Sequence, residues 1–123
     1  MSERTKRILI VDDDATIIEV VDCALRERGF EVLIARDGDE ALKRAERDAP
    51  DLILLDLVMP KRSGMTVLER LKRDRPGAPP IIMLTARDEE RHREFAKSLG
   101  VSAYLNKPFD IDTLINTVET LIA

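Results

Sequence analysis

Short apolar runs alternate five times with longer segments in which apolar residues recur at helical spacing. The runs occupy residues 8–11, 32–35, 52–55, 81–84 and 103–105. Ile, Leu and Val dominate four of them, a composition typical of strands that are buried on both faces of a parallel sheet. The pattern therefore predicts five strands, each followed by a helix.

The first and last of the longer segments show the clearest helical periodicity. Apolar residues recur three and four positions apart at 17, 18, 21, 24 and 25, and again at 111, 114, 115, 118, 121 and 122. Gly29 and Gly100 are placed to end the first and fourth helices, and Asp88 to cap the start of the fourth. Right-handed crossovers between successive parallel strands then predict an α/β fold, a doubly wound five-stranded sheet with helices on both faces.

The length and composition are those of one globular domain, which we assign to residues 1–123. Apolar residues make up 44% and charged residues 36%, and no apolar run approaches the roughly 20 residues that a membrane helix requires. The first residues also lack the apolar stretch of a secretory signal, so a cytoplasmic location is expected. Cys23, the single cysteine, cannot form an internal disulfide, and we expect it in or near the core. The net charge of −4 argues against direct binding to nucleic acid.

Polar residues follow the strands at the edge where doubly wound sheets bind ligands. They are Asp12, Asp13 and Asp14 after the first strand, Asp56 after the third, Thr85 after the fourth, and Asn106, Lys107 and Pro108 after the fifth. Taken singly, each has an ordinary structural role, and Asp14 fits a helix N-cap. Together, Asp12, Asp13 and Asp56 would bring about three negative charges close to one another, which requires a counter-charge. A few hard oxygen ligands favour Mg²⁺, which keeps several waters and takes further oxygens from a phosphate.

The same edge contains the groups that phosphoryl transfer needs. The transferred group spreads negative charge over three oxygens, so the site must supply positive charge and hydrogen-bond donors. Mg²⁺, the Lys107 ammonium group and the Thr85 hydroxyl would supply them. An ionised carboxylate attacks phosphorus without a general base, so this chemistry requires no serine or histidine triad.

Four separated motifs resemble those of response-regulator receiver domains of two-component signalling systems. They are ILIVDDD at 8–14, DLILLDLVMP at 51–60 with Gly64 following, MLTA at 83–86, and YLNKPF at 104–109. They occur in the order of the family, each at the end of a predicted strand, and the resemblance covers essentially the whole chain. It implies a flavodoxin-like (βα)5 fold with the strand order 2-1-3-4-5 that is known for this family.

The resemblance also implies roles at the acidic site. Asp56 would be the phosphoacceptor. Asp13 would bind Mg²⁺ directly and Asp12 mainly through water. Asp56 and the backbone carbonyl of Val58 would complete the protein ligands of the metal.

A second group of residues would couple phosphorylation to conformation in such a domain. Thr85 would turn its hydroxyl toward the phosphoryl group, Lys107 would pair with that group, and Tyr104 would swing inward behind Thr85. The Lys107–Pro108 peptide bond is cis in the family. The chain would thus be a phosphoacceptor switch, not an enzyme in the ordinary sense, although it would promote its own phosphorylation and slow dephosphorylation.

The resemblance implies two kinds of partner. A sensor histidine kinase or a histidine phosphotransfer protein would donate the phosphoryl group. A downstream protein or an output domain would contact the fourth helix, the fifth strand and the fifth helix. Both a stand-alone receiver and a receiver within a longer regulator agree with the sequence, and neither a membrane nor nucleic acid is expected as a direct partner.

Other classes of protein share parts of this pattern. Residues 12–16, DDDAT, match the DxDxT signature of haloacid-dehalogenase-type phosphatases, with Asp12 as nucleophile and Asp14 as general acid. Such enzymes usually need a longer chain and a later acidic pair for Mg²⁺, and this alternative leaves Asp56 without a role. A flavodoxin-like electron carrier would be expected to have a Ser/Thr/Gly-rich phosphate loop after the first strand, where this sequence has aspartates. A receiver used only for protein interaction would lack the acceptor or the lysine, and both are present.

Overall fold

Strands and helices alternate along the residues that the structure, a computed structural model, describes: 5–57, 64–74, 79–85 and 90–122. The elements are β1 (Arg7–Val11), α1 (Ala15–Glu27), β2 (Glu31–Ala35), α2 (Gly38–Asp48), β3 (Leu52–Asp56), α3 (Gly64–Asp74), β4 (Ile81–Thr85), α4 (Glu90–Ser98), β5 (Ala103–Asn106) and α5 (Ile111–Ile122). All five predicted strands are confirmed, and each extends its apolar run by one polar residue. None of the helices in these ranges is long and apolar enough to cross a membrane.

The five strands form one parallel sheet in the order β2-β1-β3-β4-β5, which the family resemblance implied. In β1 and β3, Val11 pairs with Leu55. Further along the sheet, Asp56 pairs with Leu84 of β4, and the last residues of β4 and β5 pair with each other. Because the strands are parallel, this register brings the carboxyl ends of β1, β3, β4 and β5 to one edge, where the candidate site lies.

Helices cover both faces of the sheet, and successive side chains of each strand point to opposite faces. One apolar layer joins the sheet to α2, α3 and α4 through Leu9, Val11, Ile53, Leu55, Ile81, Met83, Ala41, Ala45, Val67, Leu68, Leu71 and Ala96. The other joins it to α1 and α5 through Ile8, Ile10, Leu52, Leu54, Ile82, Leu84, Ile18, Val21, Leu25, Leu114, Ile115 and Val118. Covering both faces explains why the strands are continuous apolar runs and do not alternate with polar residues.

In the described residues, α1 begins at the capping residue, and α1 and α4 end at the glycines, that were predicted from the sequence. Asp14 caps α1, and its carboxylate accepts hydrogen bonds from two backbone N–H groups of the first turn. Gly29 and Gly100 follow α1 and α4 with φ of 90° and 87°, a left-handed conformation that side chains with a Cβ rarely adopt. Asp88, the predicted cap of α4, lies outside the described residues.

The expectation that Cys23 lies in or near the core is wrong, because its side chain is exposed. Helix α1 buries Ile18, Val21 and Leu25. Cys23 is two residues from both Val21 and Leu25, which is about 200° around the helix axis. It therefore lies on the solvent face, where its Sγ is 3.8 Å from Oε1 of Glu27.

Two adjacent valines of α1 provide a matched test of this packing. Val21 is fully buried, whereas Val20 is 51% exposed. Val21→Ala removes two methyl groups from the core and should lower the free energy of unfolding by about 2 kcal/mol. Val20→Ala makes the same covalent change with the same gain in helix propensity, and should alter that free energy by at most about 0.5 kcal/mol. Urea denaturation measures both, and equal losses would contradict the faces assigned to α1.

Candidate functional site

The three consecutive aspartates that follow β1 have three different environments. Asp12 is 1% exposed, whereas Asp13 and Asp14 are exposed. Oδ1 of Asp12 accepts a hydrogen bond from the N–H of Asp14 at 3.0 Å, and Oδ2 accepts one from Nζ of Lys107 at 2.7 Å. Oδ1 of Asp14 accepts from two N–H groups in the first turn of α1, at 2.9 and 3.4 Å. Asp12 thus organises the loop and holds Lys107, Asp14 caps a helix, and Asp13 faces solvent.

Asp56 is the last residue of β3 and lies beside the same lysine. It is 5% exposed, and its Oδ1 is 3.4 Å from Nζ of Lys107. Lys107 follows β5, and its backbone N–H donates a hydrogen bond to the carbonyl oxygen of Thr85 at 2.8 Å. The Lys107–Pro108 peptide bond is cis, as the resemblance implied. One ammonium group therefore contacts two carboxylates, Asp12 and Asp56, that come from neighbouring strands.

The surroundings of Lys107 favour its charged form. Its side chain is 15% exposed, and burial, the largest single influence, acts to lower the pKa of Lys107. The hydrogen bond to Asp12 and the negative charges of Asp56 and Asp12 together outweigh burial and raise the pKa of Lys107 above its ordinary value. Lys107 therefore remains an ammonium ion at neutral pH.

The acidic residues fit a metal site. Carboxylate oxygens of Asp12, Asp13 and Asp56, one from each residue, lie within 4.8 Å of one another. Two of these carboxylates, those of Asp12 and Asp56, contact the ammonium group of Lys107, and Asp13 is exposed. A small set of hard oxygen ligands with solvent on the Asp13 side suits Mg²⁺. Val58, whose carbonyl the resemblance adds as a ligand, lies outside the described residues.

Thr85 and Tyr104 lie on neighbouring strands near this edge. Thr85 ends β4 and is completely buried. Tyr104 is half-buried in β5 and pairs in register with Met83, two residues before Thr85. The guanidinium carbon of Arg93, on α4, is 5.1 Å from the centre of the Tyr104 ring, within the range of a cation–π contact. Sequence analysis missed this contact because the two residues lie on different elements and no spacing rule connects them.

The arrangement agrees with the similarity of this chain to known proteins. A sequence model of the family described as "Response regulator receiver domain" matches residues 8–119, which is most of the chain. The chain belongs to this family. Its members are signalling switches that interact with histidine kinases or phosphotransfer proteins, and they generally use Mg²⁺ at the acidic site.

Individual relatives show how much of each protein this receiver domain covers. The chain is 43% identical over 104 residues to the alkaline phosphatase synthesis transcriptional regulatory protein PhoP of Bacillus subtilis, which is 85% of this chain and 43% of that protein. It is 36% identical over 118 residues to protein PilH of Pseudomonas aeruginosa, 95% of this chain and 98% of that protein. The receiver domain therefore spans somewhat less than half of PhoP but nearly all of PilH.

A solved structure confirms the fold. The structure of a CheY-like response regulator receiver domain protein from Methanospirillum hungatei superposes with a TM-score of 0.90 at 33% identity. The match covers 95% of this chain and 93% of that one. The doubly wound architecture predicted from the sequence is thus that of solved receiver domains.

The phosphatase alternative is not favoured by this site. As a nucleophile, Asp12 would need a carboxylate oxygen directed at a substrate, but both of its oxygens accept hydrogen bonds and its side chain is buried. Asp14, the general acid of that alternative, is occupied as the cap of α1. Asp56, which the alternative leaves without a role, lies within the carboxylate cluster of the receiver domain.

The raised pKa of Lys107 leads to a prediction about stability. The folded-state pKa lies above the ordinary value of 10.5, so the protonated lysine stabilises the fold fully below pH 10.5 and less as the pH rises through the folded-state pKa. At neutral pH, Lys107→Met should lower the free energy of unfolding by on the order of 2 kcal/mol, because it removes the cation that the Asp12 and Asp56 carboxylates both contact. The difference from the wild type should shrink at alkaline pH. Urea denaturation of both proteins from neutral to alkaline pH measures this difference in the free energy of unfolding. A difference that stays constant with pH would contradict the stabilising role of the protonated lysine.

Proposed function

We propose that this receiver domain accepts a phosphoryl group on Asp56 from a partner histidine kinase or histidine phosphotransfer protein. The observation that supports this most directly is the position of the Asp56 carboxylate. It is buried at the end of β3, 3.4 Å from the ammonium group of Lys107 and within 4.8 Å of the Asp12 and Asp13 carboxylates. An acceptor needs a carboxylate next to groups that neutralise negative charge. The Lys107 ammonium group is one such neighbour, and a Mg²⁺ ion held by the three carboxylates would be another.

The proposed transfer is a displacement at phosphorus. A carboxylate oxygen of Asp56 attacks the phosphorus of a phosphohistidine in the partner. An O–P bond forms as the P–N bond breaks, and the electron pair of the P–N bond stays on the imidazole nitrogen, which takes up a proton from the solvent. The products are an acyl phosphate on Asp56 and an unmodified histidine. Water later cleaves the acyl phosphate, which restores the carboxylate and releases inorganic phosphate.

The carboxylate cluster would hold Mg²⁺ during this reaction. Bound there, the ion would offset the negative charge of the carboxylates and of the phosphoryl oxygens. Asp13 is the exposed member of the cluster and would coordinate the ion directly, together with Asp56. The family resemblance adds the backbone carbonyl of Val58 as a further ligand. Both oxygens of Asp12 already accept hydrogen bonds, so Asp12 would act mainly through water.

Lys107 and Thr85 would bind the phosphoryl group once it is on Asp56. The Lys107 ammonium group already lies between two carboxylates, 2.7 Å from Asp12 and 3.4 Å from Asp56, so a small displacement would bring it to the new oxygens. Thr85 would contribute its hydroxyl, and Tyr104 would turn inward behind it. Only contacts that differ between two conformers shift the equilibrium between them, and these residues provide such contacts.

The change would be read out at the surface formed by α4, β5 and α5. Two contacts support a connection from the site to this surface: the hydrogen bond from the Lys107 N–H to the Thr85 carbonyl, and the cation–π contact between Tyr104 and Arg93. A downstream protein or an output domain would bind there. PhoP, of which this chain matches 43%, is named as a transcriptional regulatory protein, so an attached DNA-binding domain is one form that such an output could take.

Acceptance on Asp56 predicts that Asp56→Asn abolishes labelling, because the amide has no ionised oxygen to attack phosphorus. Asp51→Asn is the matched control, since Asp51 precedes the opposite end of β3 and accepts a hydrogen bond from the Arg7 N–H that an asparagine oxygen can also accept. The control should be labelled like the wild type. Intact-mass measurement after incubation with acetyl phosphate and Mg²⁺, followed by peptide mapping, tests both. Phosphate on Asp12, or undiminished phosphate on Asp56→Asn, would refute the proposal.

Magnesium binding predicts a second difference between neighbouring residues. Mg²⁺ at about ten times its dissociation constant should stabilise the folded protein by about 1.4 kcal/mol and raise its melting temperature. Asp13→Asn should remove most of this response because it removes a charged ligand. Asp14→Asn should keep it, because asparagine caps a helix as well as aspartate does. Thermal melts with and without Mg²⁺ decide between these outcomes, and a wild type that shows no response would contradict the metal site.

A further inference from the structure

The first residue of α3 lies against the backbone of the proposed acceptor. A Cβ built on Gly64 would be 2.0 Å from the carbonyl oxygen of Asp56 and 2.7 Å from Cα of Leu57. Cβ atoms essentially never come within 3.0 Å of such neighbours. The N–H of Gly64 also donates a hydrogen bond to the carbonyl oxygen of Leu57 at 2.7 Å. The start of the helix and the peptide unit of the acceptor are therefore in a direct backbone contact that only glycine permits.

Packing restrains the backbone on both sides of this contact. Helix α3 is held by Val67, Leu68 and Leu71, which are buried in the apolar layer on its side of the sheet. On the other side, β3 lies between β1 and β4, and Asp56 pairs in register with Leu84. A side chain at position 64 would have to separate the two backbones by at least about 1 Å, from 2.0 Å to an allowed 3.0 Å.

Gly64 is needed for space and not for an unusual backbone conformation. It is not among the glycines with positive φ, which in the described residues are Gly29 and Gly100. Gly29 is the reverse case, because it has φ of 90° but no atom within 4 Å of a Cβ placed on it. The two glycines separate a steric requirement at the acceptor from a conformational requirement at a distant helix end.

We propose that Gly64 is a positioning residue for phosphoryl acceptance. Because Gly64 has no side chain, the start of α3 contacts the Asp56–Leu57 peptide directly. This contact sets the position of the Asp56 carboxylate relative to Lys107, Asp12 and Asp13. The inference rests on the proposed function of Asp56 as acceptor. A shift of about 1 Å at a reacting group is sufficient to slow a reaction by about 100-fold.

The test compares Gly64→Ala with Gly29→Ala. Both variants add one methyl group, and both should lose stability, the first through the steric contact and the second through strain at positive φ. The measured quantity is the rate of Asp56 labelling per folded molecule, with saturating acetyl phosphate and Mg²⁺, at a temperature where melting curves show each variant folded. We expect Gly64→Ala to be slower than the wild type by about 10- to 100-fold, and Gly29→Ala to stay within about twofold.

The outcomes separate this inference from the proposed function. If the wild type is labelled at a residue other than Asp56, the proposed function fails. If the wild type is labelled at Asp56 and Gly64→Ala reacts as fast as Gly29→Ala, the positioning role is overturned and the acceptor assignment stands. A merely structural glycine would change the melting temperature but not the rate per folded molecule.

A second measurement covers the case in which Gly64→Ala does not fold. Selective ¹⁵N labelling of the five glycines of the wild type gives one amide signal for each. Addition of beryllofluoride, a phosphoryl mimic, with Mg²⁺ should shift the Gly64 signal, because its N–H bonds to the residue next to the acceptor. The Gly29 signal should not move. A Gly64 signal that stays unchanged at saturation would overturn the inference.

Discussion

One ammonium group held between two carboxylates is the interaction on which the candidate site depends. Lys107 contacts Asp12 and Asp56, and so links the loop after β5 to the ends of β1 and β3. Buried ion pairs add little net stability, because the desolvation of both charges offsets their attraction. The stability of the fold must therefore come from the two apolar layers, which cover the sheet without any help from the charged edge. That division allows the edge to hold charges arranged for chemistry.

The apolar strands determine where those charges lie. Leu55 pairs with Val11 on one side and with Met83 on the other, and all three are buried. A slip of one residue in this register would turn every core side chain of a strand to the opposite face, so packing specifies the register strongly. The residue that follows Leu55 is Asp56, and its position at the edge is consequently set by the packing of the residues before it. Gly64 also fixes the position of Asp56 relative to α3, the helix that follows β3, because the backbone of Gly64 contacts that of Asp56.

Periodicity was sufficient to locate the strands, but the order of the strands came from the resemblance to a family and not from the pattern. Sequence spacing also could not separate the environments of the consecutive aspartates, since that of Asp12 depends on Lys107, 95 residues away. The prediction for Cys23 was wrong because it followed the general tendency of cysteine to be buried. The helical period of α1 places Cys23 opposite the buried face of the helix. Two further contacts depend on distances between elements, which a single sequence does not contain. They are the close approach of Gly64 to the Asp56 backbone and the cation–π contact between Arg93 and Tyr104.

Asp12 connects the two halves of the proposed chemistry. If Lys107 moved fully onto a phosphoryl group at Asp56, its 2.7 Å contact with Asp12 would lengthen. As the lysine moves, Asp12 would keep its hydrogen bond from the Asp14 N–H but would lose its cationic partner, and a buried carboxylate without one is costly. A divalent cation in the carboxylate cluster would offset this cost, so its binding and the displacement of Lys107 should favour each other. Such coupling is reciprocal. A partner that binds more tightly when the lysine is displaced should therefore tighten metal binding by the same factor by which the metal tightens binding of that partner. The buried aspartate would then act as more than a weak metal ligand, since it would make the release of the lysine depend on the ion.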